Sequence, residues 1–285
     1  MNVNASPGRK TYTPLRLAVP LSAFLTAAAG VAVTKTSFDT SVRGGYFARG
    51  AVLPFVFLGL LFITAAVVVT LACVQFTGSD PADANVYYSG SRVLGLLPTL
   101  GLLLCLWQTV TTAGITLKSA LPLLFLGCGI VYFLSFFAPV RNATYRYVFG
   151  LAFLVWPVIR LAASYLDWYV PLNAPLKLMY QFTFVFIALF LCEEILVLNG
   201  APNARILSAC SGITCVLSFT LAAMLLCGDV ADVIAGGTET VCAFFCFGFY
   251  AGARWFLLTS PQKEHTDDPP TQTQETTEED EHHAG

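Results

Sequence analysis

Two apolar runs, YVFGLAFLVWPVIRLAASYL at residues 147–166 and PLKLMYQFTFVFIALFLCEEILVLN at residues 175–199, are joined by a short polar turn from Asp167 to Asn173. Each run matches the ~20 residues that an α-helix needs to cross the ~30 Å hydrocarbon core of a bilayer. The pair also carries the costliest side chains of the chain: Arg160 in the first run, Glu193 and Glu194 in the second. An ionisable group at bilayer depth costs at least ~2.5 kcal/mol, so each of the three requires a partner, water or a function.

Working outward, the same pattern recurs along all 285 residues. Charged residues make up 11% and apolar residues 56%, with mean hydropathy +0.70, against roughly 25% charged in a soluble domain. The fold class is therefore all-α, a polytopic transmembrane helical bundle of about eight spans. The spans are expected at Leu17 to Val33, Leu53 to Gln75, Val93 to Ala113, Ala120 to Phe137, Arg146 to Leu166, Pro175 to Leu198, Arg205 to Cys227 and Gly237 to Leu258. Seven remain if the first run, preceded by Arg9, Lys10 and Arg16 and containing Ala27-Ala28-Ala29, is a cleaved signal peptide or lies on the surface. The domain division is a polar segment at 1–16, the bundle at 17–259 and a tail at 260–285. The tail holds eight acidic side chains against Lys263, together with all three histidines, and is expected to be disordered.

Orientation follows Lys and Arg. With the N-terminus inside, the cytoplasmic side collects Arg9, Lys10, Arg16, Arg92, Arg141, Arg146, Arg205, Arg254 and Lys263. The outer side collects Lys35, Arg43, Arg49, Lys118 and Lys177. Both termini are thus expected in the cytoplasm of a plasma membrane. Short loops and the lack of an appended soluble domain give the look of a bacterial inner-membrane protein.

Depth then sorts the intramembrane charges. At 1.5 Å per residue, Glu194 lies about 10 Å from its helix centre toward the cytoplasm and Arg160 about 5 Å toward the outside. They are not expected to meet. Glu193 and Glu194 have Arg146, Arg205 and Arg254 at their level, whereas Arg160 has Asp229, Asp232 and Glu239, or a reach toward Asp167. These residues form either two structural ion-pair clusters that fix helix register or a polar site for a solute or proton. Pro98 and Gly101 in the third run, and Trp156-Pro157 in the fifth, are expected to interrupt their helices.

Much chemistry is excluded. Glu193-Glu194 resembles the opening of the CAAX-processing intramembrane protease motif. The family's arginine position is Leu198, however, and the spans contain no histidine to activate water. The same lack removes bis-histidine haem, rhomboid-like dyads and His-Glu-x-x-His zinc sites. The last span has no lysine for a retinal Schiff base, and no P-loop, dinucleotide fingerprint or nucleic-acid-binding signature is present. All nine cysteines lie in or at the edge of apolar runs and read as small packing residues rather than a disulfide framework. No catalytic residue, metal or cofactor is implied. Leu53-Pro-Phe-Val-Phe-Leu-Gly59 and Leu121-Pro-Leu-Leu-Phe-Leu-Gly127 echo each other and suggest either a duplicated hairpin or convergence.

Two function classes remain. One is a non-catalytic scaffold, sensor or accessory subunit whose partners are the lipid bilayer and other membrane proteins, with no nucleic acid. The other is a small-solute transporter or channel with Arg160 lining the pathway. Without a nucleophile–base pair or metal cluster, an enzyme ranks behind both.

Overall fold

The computed structural model describes residues 13–39, 46–47, 51–75, 91–113, 116–137, 143–167, 174–198, 203–227 and 237–259. The tail at 260–285 and most of the polar N-terminal segment lie outside them. Eight long helices account for most of the described chain. They are α1 (Thr13–Ser37), α2 (Leu53–Gln75), α3 (Leu96–Ala113), α4 (Leu117–Leu134), α5 (Ala143–Leu166), α6 (Pro175–Leu198), α7 (Ala204–Cys227) and α8 (Gly237–Leu258). A two-residue antiparallel ladder, β1 (Phe38–Asp39) with β2 (Tyr46–Phe47), closes the loop after α1.

Six of the helices, all except α3 and α4, are long and apolar enough to cross a membrane. The other two have 18 residues each, about 27 Å at 1.5 Å per residue, slightly short of the ~30 Å hydrocarbon core. Their packing shows that they run through the bundle. A side chain at Gly95 would meet Phe136 at the end of α4, and one at Gly101 would meet the Cβ of Cys246 at 2.8 Å and the Cα of Ala243 at 3.4 Å. Since Phe136 lies under Arg254, α3 is antiparallel to α8 and shares its depth.

Prolines act differently from the expectation. Residues 96–113 form one unbroken helix with Pro98 in its first turn, where the missing N–H would have had no helical partner. The discontinuity falls just before it, where a separate helical turn, Ser91–Leu94, ends. A proline ring clashes with the carbonyl four residues back, here that of Leu94. Pro157 lies within a continuous α5. The echoed Leu-Pro motifs also sit differently: Pro54 is in the first turn of α2, whereas Pro122 is well inside α4. A capping box between Thr116 and Ser119 starts α4 earlier than the apolar run does.

Neighbour contacts run in a cycle, α3–α4–α5–α6–α7–α8 and back to α3, while the α1–α2 hairpin packs on the outside of α7. α1 is parallel to α7: Thr220 donates to the Thr26 hydroxyl at 2.9 Å, and Gly30 closes on Met224 one turn further along both helices. α7 and α8 are mostly buried, and α2 is the most lipid-facing of the six long spans.

Aromatic rings fill the space enclosed by α4, α5, α6 and α8. Tyr250 packs on Phe133, Phe133 on Phe153, and Phe153 and Trp156 stack on Phe247. Trp156 then meets Phe184, and Phe184 with Phe244 meets Tyr180. Edge-to-face and offset contacts of this kind add ~0.5–1.5 kcal/mol each beyond area burial. Gly129 makes room for the column, because any side chain there would enter the Phe153 ring.

Candidate functional site

Polar side chains gather at both ends of the aromatic column. At the first end, α6 and α8 run parallel and α5 antiparallel to both, so the last turns of α6 and α8 face the first turn of α5. Glu194 and Arg254 form an ion pair at 2.8 Å with both side chains fully buried. Glu194 Oε1 accepts from Arg254 Nη2 at 2.8 Å, from Arg254 Nε at 3.1 Å, and from the Tyr250 hydroxyl. The same hydroxyl accepts from Arg254 at 2.7 and 3.1 Å. Tyr250 and Arg254 are four apart on α8, hence on one face. Arg254 also lies over the Phe136 ring, 5.7 Å from its centroid.

Arg146 comes to the same ring from α5, 5.8 Å from its centroid, and donates to the Ser135 carbonyl at 2.9 Å. That carbonyl sits at the C-terminal end of α4, where the helix macrodipole favours a cation. Thus Arg146, Glu194 and Arg254 share one end of the bundle. Arg205 lies in the first turn of α7, exposed.

Glu193, adjacent in sequence, is separated from Glu194 by the 100° turn of a helix. It is half-buried at the α6–α7 groove, within electrostatic range of the Cys210 thiol. Its Oε2 is enclosed and has no hydrogen-bond partner among the described residues. The glutamate doublet is therefore two separate features.

At the second end, Arg160 of α5 donates to the Thr240 hydroxyl of α8 at 3.1 Å. The Tyr180 hydroxyl of α6 hydrogen-bonds with both, and Cys105 of α3 lies within electrostatic range. Asp229 and Asp232 lie outside the described residues, as does the Glu239 side chain. Asp167 contributes its carbonyl, which accepts from the buried Lys177 at 2.7 Å. Gln181 reaches Ser164 at 3.4 Å one turn away on the same two helices.

Sequence reasoning missed Tyr250, Phe136, Tyr180 and Thr240. Tyr250 had a signal, its four-residue spacing from Arg254. Thr240, Tyr180 and Phe136 became visible only once α8, α6 and α4 were placed. Chemically, the first end ties a carboxylate to an arginine and a phenol, and the second joins an arginine to two hydroxyls. No group of three or more His, Cys, Asp or Glu side chains able to hold a metal ion occurs among the described residues. Comparison with protein-family models, curated proteins and solved structures gives no match.

Proposed function

We propose that this multi-pass membrane protein is a non-catalytic scaffold, sensor or accessory subunit that works by recognising other membrane helices. The reading includes placement in a plasma membrane, of bacterial inner-membrane type, with both termini cytoplasmic, supported by the Lys and Arg distribution. The observation that carries it is the aromatic column. Rings from four helices occupy the space between the two polar ends, where a transporter needs water or a solute. Sites for small ligands are instead concave, with a few polar groups aimed inward.

The native cysteines test it. Cys105 and Cys215 are buried, Cys105 near Tyr180 and Cys215 against Gly252. In intact membranes, a charged, membrane-impermeant thiol reagent should leave both unlabelled until the protein is denatured. Cys128 and Cys246, half-buried, should be protected by lipid and by α3. Labelling of Cys105 under native conditions would replace this proposal with the second reading, a small-solute transporter with Arg160 in the pathway. That alternative draws on one feature: the Thr240 and Tyr180 hydroxyls converge on a half-buried guanidinium.

A further inference from the structure

We infer that the outward face of α6 around Glu193 is a docking surface for a transmembrane helix that carries a lysine or arginine about 8 Å inside its membrane boundary. The inference rests on the scaffold reading and names the chemistry of the partner.

Ionisable side chains in membrane helices almost always turn toward the protein interior or a water-filled cavity. Glu194 does so completely, whereas Glu193 is only half-buried. α6 presents an apolar outward stripe at helical spacing, with Leu178, Phe182 and Leu189 all exposed, followed by exposed Cys192. Glu193 stands at the edge of that stripe, one turn beyond Leu189. It is five residues from the end of α6, hence ~7.5 Å inside at 1.5 Å per residue.

Its exposure is intermediate, and its Oε2 is shut into the groove with α7 without a hydrogen-bond donor among the described residues. Arg254 and Arg146 engage the other side of the bundle end, around Glu194 and Phe136. A carboxylate bordering lipid, with one oxygen desolvated, is matched by a cation delivered within the membrane. An aqueous ligand does not approach from the lipid side, and an anionic lipid headgroup has the wrong sign. Next to it, Cys192 supplies a natural crosslinking handle.

The test uses the full-length protein in lipid vesicles with a synthetic Leu/Ala transmembrane peptide. The peptide carries one Lys about 8 Å from its end, from five residues at 1.5 Å rise, and a cysteine one turn away. Mild oxidation should crosslink it to Cys192 at least ten-fold more efficiently than a control peptide with Leu for Lys. Glu193→Gln should bring capture down to the control, and Glu193→Lys should switch the preference to a Glu-bearing peptide. Equal capture of Lys and Leu peptides overturns the inference. So do Cys192–Cys192 dimers that form without peptide and depend on Glu193, which would give the face to a second copy of the chain. Native labelling of Cys105 overturns the scaffold reading whatever the peptide does. Failed capture with Cys105 protected overturns only the basic partner.

Discussion

Removing Glu194 should destabilise the bundle more than removing Arg254, although the two form one ion pair. Arg254→Met takes two charge-assisted bonds from Glu194 Oε1 but leaves it the Tyr250 hydroxyl, with a second guanidinium, Arg146, over the same Phe136 ring. Glu194→Leu instead leaves two arginines around that ring without the Glu194 carboxylate. Breaking a buried pair costs about 3–5 kcal/mol, with Arg254→Met expected at the lower end and Glu194→Leu at the upper. The pair itself is not the source of stability, since apolar replacement of a whole buried ion pair is often neutral or stabilising by ~1–4 kcal/mol. A triple variant, Glu194→Leu with Arg254→Met and Tyr250→Phe, should therefore return to within about 2 kcal/mol of the parent. Retaining Tyr250 in the double variant strands its hydroxyl and should cost ~1–3 kcal/mol. Unfolding in detergent can be followed with a fluorogenic thiol dye at Cys215, which is 1% exposed in the fold. Single variants within about 1 kcal/mol of the parent, or a triple variant as unstable as the sum of its parts, would refute the reasoning.

On α4, Gly129→Ala should cost ~1–3 kcal/mol through overpacking, because its Cβ enters the Phe153 ring, whereas Gly127→Ala has nothing within 4 Å and should be neutral. The same dye assay separates them. Thr220→Val, which deletes the α1–α7 hydroxyl contact, should cost ~0.6 kcal/mol and no more than ~1.7, as measured for interhelical bonds in membranes. Arg160→Ala should insert normally yet lose ~1.5–3 kcal/mol with the charge-assisted bonds to Thr240 and Tyr180, whose hydroxyls then keep only each other. Protease protection scores insertion and the dye scores stability.

Helix positions are far more legible in the sequence than helix neighbours. The limits of α6 and α8 were legible because Pro175 and Gly237 bound long apolar runs. Facing was not, because lipid is as apolar as the protein core. Phe62 is 79% exposed and Phe57 of the same helix 2%, and nothing in the letters separates them. For the same reason Glu193 and Glu194 read as a pair, although Glu194 is fully buried among α6, α8 and Phe136 and Glu193 is half-buried at the α6–α7 groove. Pro98 does interrupt the run from Val93, but one turn ahead of itself, because its ring acts on the Leu94 carbonyl and the helix resumes at Leu96. The pairing of α3 with α8 joins segments far apart in the chain and left no local pattern.

Parallel packing of α1 on α7 sets an order of events during synthesis. Thr26 is 194 residues ahead of Thr220, so at ~5–20 residues per second α1 waits roughly 10–40 s in the membrane before its partner emerges. During that interval its hydroxyl is not stranded, since Thr26 also donates to the Ser22 carbonyl one turn back at 2.8 Å. The first helix can therefore be stored in lipid with its polar group satisfied locally. When α7 arrives, the same oxygen still has a lone pair to accept the Thr220 proton, and the early hairpin joins the late bundle without breaking a bond.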